Sequence, residues 1–97
     1  MKLRFSLRAT ADIAEIADYL AARNPTAAQR VRASIFDSLK LVVLFPQLGR
    51  RQATEGVRKL VTRRYRYLVY YTIDETADEI IILGIRHPSR QPEHSSA

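Results

Sequence analysis

The chain contains no cysteine. Disulfides, thiolate metal sites and cysteine nucleophiles are therefore excluded, and a reducing compartment is the natural setting. Histidine is scarce, with only His87 and His94, so a metal site is not expected. Glycine is limited to Gly49, Gly56 and Gly84, which are too scattered to form a phosphate-cradling loop. The longest apolar runs, Leu41 to Phe45 and Ile80 to Ile85, are far too short to span a bilayer. Met1-Lys2-Leu3-Arg4-Phe5 has no apolar run behind it, so no signal peptide is expected and the reading is a cytoplasmic protein without membrane contact. Nothing in the pattern calls for a cofactor.

What the chain does have is arginine. Thirteen of its sixteen basic residues are Arg, and the net charge is +6 at pH 7. The charge is uneven: residues 1–45 carry seven bases and four acids, residues 46–73 seven and one, residues 74–97 two and five. The basic middle holds Arg50, Arg51, Arg58, Lys59, Arg63, Arg64 and Arg66, with Glu55 the single acid among them. A basic zone on a small domain points to an anionic partner, and guanidinium groups suit bidentate contacts to phosphate or carboxylate.

With 97 residues there is room for one small domain, read here as residues 1–90 with a flexible polar tail over 91–97. Leu3, Phe5 and Leu7 alternate with polar residues and predict a half-buried strand. From Thr10, a candidate N-cap, Ile13, Ile16, Ala17 and Leu20 follow helical spacing. Asn24-Pro25 ends that helix and starts another at once, because Asn caps well and Pro suits the first helical position. Val31, Ile35, Leu39 and Val42 mark the second helix's buried stripe. Leu41 to Phe45 is apolar almost all round, which predicts a deeply packed end before Pro46-Gln47-Leu48-Gly49 stops the helix. Residues 50–56 read as a loop. Val57 to Thr62, Tyr65 to Ile73 and Glu79 to Arg86 read as strands joined by short turns. The continuous apolar run Ile80 to Leu83 predicts a central strand covered on both faces. The fold class is α+β: β-α-α-β-β-β, with a helical hairpin packed on one face of a mostly antiparallel four-stranded sheet.

Strand parity then sorts the candidate residues. Tyr65, Tyr67, Val69, Tyr71 and Ile73 are the more apolar set and should face the helices. Arg66 and Tyr70 would then lie on the open face. Either Arg86 or His87 would join them from the last strand, and Arg58 from the second. Convergent Arg side chains on a concave sheet face make an anion site. Acid–base chemistry needs a group titrating near neutrality within reach, which leaves Glu55, His87 and His94, the last in the tail. On the helices, Tyr19 lies off the main stripe, and Phe36 and Val43 lie beside it. They form either a second apolar strip for an amphipathic partner segment or the shoulder of a wide core stripe.

The ordered series Asn24-Pro25-Thr26-Ala27-Ala28, Pro46-Gln47-Leu48-Gly49-Arg50, Val57-Arg58, Tyr65-Arg66-Tyr67-Leu68-Val69-Tyr70-Tyr71 and Ile82-Leu83-Gly84-Ile85-Arg86-His87-Pro88-Ser89-Arg90 resembles the RelE/ParE toxin superfamily. The resemblance is closer to the ParE, or plasmid stabilisation, branch and covers about residues 3–90. It implies the toxin half of a type II toxin–antitoxin pair. The partner would be a ParD-like antitoxin in a hetero-oligomer. Its C-terminal segment would wrap the toxin, and operator DNA would be reached only indirectly, through the antitoxin. ParE-branch toxins with an assigned target mostly poison DNA gyrase, whereas RelE-branch toxins cut mRNA in the ribosomal A site. Strand parity taken with the resemblance makes Arg58, Arg66, Tyr70, Arg86, His87 and Arg90 the candidate target-binding residues, and the place of Tyr19, Phe36 and Val43 beside the helix stripes makes them the candidate antitoxin side. Were the chain a ribonuclease, Arg58 (or Lys59 in its place), Arg66 and His87 would carry catalysis, with Glu55 an alternative for proton transfer. No Tyr follows His87, and the His87-x-x-Arg90 ending looks more like the ParE branch. A third class is a non-toxic module that only binds the antitoxin.

Overall fold

A computed structural model of the chain describes residues 1–88. The element order is β1 (Lys2–Phe5), α1 (Leu7–Arg23), α2 (Pro25–Leu44), β2 (Arg50–Arg51), β3 (Val57–Val61), β4 (Leu68–Asp74) and β5 (Glu79–Arg86). The sheet has five strands in the order β1-β5-β4-β3-β2, with β1 parallel to β5 and every other pair antiparallel. The expected four strands become five because Arg50 and Arg51 pair with Lys59 and Arg58. A two-residue strand has no alternation long enough to register as a period.

Asn24 alone joins the helices. Its N–H donates to the Leu20 carbonyl at the end of α1, and its side chain accepts from Ala27 N at the start of α2. Ile13, Ile16 and Ala17 of α1 then lie against Ala28, Ile35 and Phe36 of α2. The start of α1 differs from expectation. Ser6, not Thr10, is the N-cap; its Oγ accepts from Ala9 N at 3.0 Å, and Thr10 Oγ1 donates back to the Ser6 carbonyl. Leu7 is therefore helical and 91 % exposed, so its place in the strand alternation was coincidental.

The core lies between the helices and one sheet face. The α2 stripe Val31, Ile35, Leu39 and Val42 packs over Val69, Tyr71, Ile80, Ile82 and Ile85. Strand β5 is central, but Ile81 and Leu83 on its other face are only half-buried, so the double cover expected for that run is not met. The end of α2 is also less packed than its composition suggests: Leu44 is 68 % and Phe45 59 % exposed. Val42 and Val43 of this last turn still reach the core, while Leu44 and the C-cap Phe45 stay exposed.

One hydrogen-bonded staple closes this end of the molecule. The fully buried Tyr71 hydroxyl donates to the Pro46 carbonyl at 2.7 Å and accepts from Gly49 N at 2.8 Å. Arg58 Nη1 donates to the Gly49 carbonyl at 2.7 Å and the Gln47 carbonyl at 3.2 Å. A Cβ at Gly49 would sit 2.7 Å from the Tyr71 ring and 3.1 Å from the Lys59 carbonyl, so the close approach demands glycine.

Two outcomes follow for stability. Gly49→Ala forces the buried ring aside and should cost about 1–3 kcal/mol, read as a lower urea midpoint at unchanged m. Burial raises the Tyr71 phenol above its ordinary 10.0, against smaller lowering effects from the Gly49 N–H and the Arg58 charge. A raised folded-state value means the contribution is complete below pH 10.0 and is lost as pH rises through the folded value. Tyr71→Phe should therefore cost about 1–3 kcal/mol at neutral pH through the stranded Gly49 N–H and Pro46 carbonyl. The gap to the wild type should narrow in alkaline unfolding titrations; a gap constant to pH 11 (about one unit above the free phenol) would contradict this account.

Candidate functional site

Cross-strand partners point to the same side of a sheet, so the register defines the face away from the helices. Arg50 stands opposite Lys59, and Lys59 opposite Tyr70. The next row is Val61, Leu68 and Arg86. The open face thus presents two cations and a phenol in line, bordered by aliphatic side chains and by Arg86. This row can hold an anionic group through charge and hydrogen bonds. It contains no carboxylate or imidazole, the groups best suited to proton transfer near neutral pH.

The convergence expected from the sequence is not what the fold builds. Arg58 pairs with Tyr71, so it faces the helices and serves the staple; Lys59 takes the open-face position instead. Arg66 is not in a strand. It and Tyr65 have φ of 53° and 66° inside the turn over residues 63–66, and β4 begins only at Leu68. Non-glycine residues seldom adopt positive φ, and the β propensity of tyrosine gave no warning of it. Tyr70 does lie on the open face, as expected. Glu55 is exposed in the β2–β3 connection. Arg90, His94 and the tail over 91–97 lie outside the described residues.

The choice between Arg86 and His87 is made by a bulge. Tyr71 pairs with Ile82 and Tyr70 with Gly84, so Leu83 is an extra residue in β5. The parity of the strand changes there: Ile80, Ile82 and Ile85 all reach the core. Arg86, opposite Leu68, falls to the open face, and His87 turns toward α1. The bulge is held from outside the ladder. Asp12 Oδ2 accepts from Ile85 N at 2.9 Å, and Ser6 Oγ donates to the Leu83 carbonyl at 3.0 Å. The side chains of the α1 N-cap, Ser6, and of Asp12 within α1 thereby take over the edge of β5 beyond the last residue of β1. Gly84 lies under Asp12, where a Cβ would meet its Oδ2 at 3.2 Å.

His87 consequently lines a cleft of about 240 Å³ between α1 and β5, together with Arg8, Asp12, Glu15, Tyr19 and Tyr67. Its ring meets Tyr67 edge-on at 5.2 Å. Arg86 borders the same cleft and so stands at the seam between it and the open face. Arg8 Nε lies 3.4 Å from Asp12 Oδ1. Among the described residues no group of three or more His, Asp or Glu side chains is arranged to hold a metal ion, and no helix is long and apolar enough to cross a membrane.

The three helix residues assigned to a partner do not form one strip. Tyr19 is exposed beside the cleft, with the Arg23 guanidinium 3.8 Å over its ring. Phe36 and Val43 are half-buried against the core, Phe36 with its ring 6.1 Å from that of Phe5. Sequence reading missed the exposed apolar surface that does exist. Leu44, Phe45 and Leu48 line a groove of about 520 Å³ with Met1, Ile73 and Glu75. The all-round apolar character of Leu41 to Phe45 was the available signal, and it was read as burial.

Comparison with known proteins agrees with this architecture. The sequence model of the ParE toxin of type II toxin–antitoxin systems, parDE, matches residues 3–92. The chain belongs to the ParE toxin family. A curated relative, Toxin RelE2 of Caulobacter vibrioides, is 34% identical over 83 residues, 86% of this chain and 90% of that one. Among solved structures, a chain of the chromosomal ParDE system from P. aeruginosa has a TM-score of 0.77 at 27% identity, covering 90% of this chain and 95% of that one. The isolated E. coli RelE toxin has a TM-score of 0.65 at 14% identity, covering 98% and 92%, a likeness of fold. The ParE-family fold thus carries two faces here, a basic open sheet and an apolar groove at the end of α2.

Neighbouring cations on β3 should behave differently. Arg58→Ala removes two hydrogen bonds to main-chain carbonyls and should cost about 1–3 kcal/mol. Lys59→Ala, on the open face, should change stability by no more than about 0.5 kcal/mol. Urea denaturation of the two variants checks the assignment; equal losses would contradict it.

Proposed function

We propose that this ParE-family chain is the toxin of a type II toxin–antitoxin pair, that a ParD-like antitoxin neutralises it, and that it arrests growth by binding DNA gyrase. The family match across the whole domain supports the reading, together with the likeness to the P. aeruginosa ParDE chain. The arrangement of the cations supports inhibition by binding over cleavage of RNA. Arg58 is committed to the staple, Arg66 sits in the turn, and His87 lies in the α1–β5 cleft, so the set that a ribonuclease would use does not converge. The target surface in this reading is Arg50, Lys59 and Tyr70 with Arg86 at the seam, and Arg66 at the end of the same ladder. The antitoxin covers the groove of Leu44, Phe45 and Leu48, since contiguous exposed apolar surface on a small domain marks an interaction site. Tyr19 adds a second exposed aromatic contact.

The test is a pair of parallel reactions. Purified protein is added to a gyrase supercoiling and cleavage assay, and to a translation reaction probed for cuts in mRNA. Loss of supercoiling with trapped cleavage complexes is the expected outcome. Cuts in the ribosomal A site would replace this reading with the ribonuclease one. Tight antitoxin binding with neither activity would leave a non-toxic binding module. Folded Lys59→Ala protein should lose at least tenfold in gyrase inhibition; full potency would remove the open-face row from the target surface.

A further inference from the structure

The richest run of arginine is not on the open face. Arg63, Arg64 and Arg66 stand on the four-residue turn between β3 and β4, and all three are exposed. Across from them runs α2. Arg30, Ser34 and Asp37 of that helix and Arg63 and Arg64 of the turn line a groove of about 750 Å³.

This turn is built rather than loose. Thr62, almost fully buried, donates through its Oγ1 to the Arg64 carbonyl at 2.7 Å and accepts from Tyr67 N at 2.9 Å. Ser34 Oγ donates to the same Arg64 carbonyl at 3.3 Å, tying the turn to α2. Tyr65 and Arg66 are held at positive φ, a conformation that costs a non-glycine residue free energy and persists only where the surroundings impose it. None of Arg30, Arg63, Arg64 or Arg66 takes part in an ion pair among the described residues. The one acid on the groove, Asp37, is paired with Lys40 at 4.0 Å. Three guanidinium groups, Arg30, Arg63 and Arg64, thus line one groove without an ion pair of their own, and Arg66 stands on the same turn.

We propose that this groove binds the phosphate backbone of duplex DNA directly. Arginine on a fixed turn suits phosphate oxygens, whose contacts position a protein without reading sequence. An acidic protein segment fits less well. Such partners are anchored by large apolar or aromatic side chains in pockets, and the apolar side chains on this groove are Ala33 and Leu41 alone. The large exposed apolar residues lie in the separate groove of Leu44, Phe45 and Leu48. The phosphate contact stands on this geometry; the choice of DNA over RNA rests on the gyrase reading.

The experiment is fluorescence anisotropy of full-length protein with a 20-base-pair duplex of arbitrary sequence (about two helical turns), over a series of salt concentrations. Binding should weaken with a log–log slope of about −3, as expected for three to four neutralised phosphates. Arg63→Ala with Arg64→Ala should weaken binding at least tenfold and flatten the slope by roughly two. Lys2→Ala with Arg4→Ala, which removes the same charge from the opposite edge of the sheet, should weaken it less than threefold. Circular dichroism melts confirm that both double variants fold. Equal losses in the two variants would mean that net charge and not the groove binds, and would overturn the proposal. So would tighter binding of an RNA duplex, or of a polyglutamate peptide. Gyrase inhibition without any DNA binding would sink this inference and leave the gyrase reading standing. DNA binding without gyrase inhibition would do the reverse.

Discussion

The Tyr71 hydroxyl is the point on which the rest of the chain is hung. It sits in the core at the middle of β4, yet both of its hydrogen bonds go to the segment that leaves α2, at Pro46 and Gly49. That segment must turn sharply to bring Arg50 and Arg51 alongside β3. Arg58, one strand over, binds two carbonyls of the same segment and completes its main-chain accounting. The staple thus sets where β2 begins, which sets the register of Arg50 against Lys59, and so places the cations of the open face. Gly49 is required because the ring approaches the main chain too closely for a side chain.

At the other edge the problem is different. Strand β1 is only four residues long, whereas β5 has eight. Beyond Ile82 the main chain of β5 would lose its neighbour. The N-cap and first turns of α1 fill the gap, with Ser6 serving Leu83 and Asp12 serving Ile85. The bulge at Leu83 makes this possible and at the same time reverses the facing of the last residues. An α1–β5 cleft containing His87 is the by-product. The two faces of the domain therefore differ in chemistry for reasons of main-chain pairing: cations with Tyr70 on one side, an imidazole beside Tyr67 on the other.

Much of the apparent functional signal in the sequence turned out to be structural. Pro46 to Gly49, Arg58 and Tyr71 are among the residues that carry the resemblance to the ParE branch, and together they form the staple. The turn over residues 63–66 shows the converse. Arg63 and Arg64 read as an ordinary hairpin turn, yet buried Thr62, the Ser34 contact and two positive φ angles make that turn a rigid mount for arginine. The exposed end of α2 was misread for a simpler reason. Composition reports that a turn is apolar all round, but not which of its side chains reach the core.

Features governed by neighbours in the chain were legible from the residues alone. The Asn24-Pro25 break, the α2 stripe of Val31, Ile35, Leu39 and Val42, the limits of β5 and the β-α-α-β-β-β order with its antiparallel meander all follow from caps and periods acting over a few positions. The ordered motifs likewise sufficed to indicate the family. Which way the functional side chains point was decided only by tertiary structure. Asp12 and Ile85 are 73 residues apart, and Gly49 and Tyr71 are 22 apart. Those distant hydrogen bonds fix one bulge and one register. A one-residue change in either turns a side chain from one face of a sheet to the other, and no local pattern carries that information.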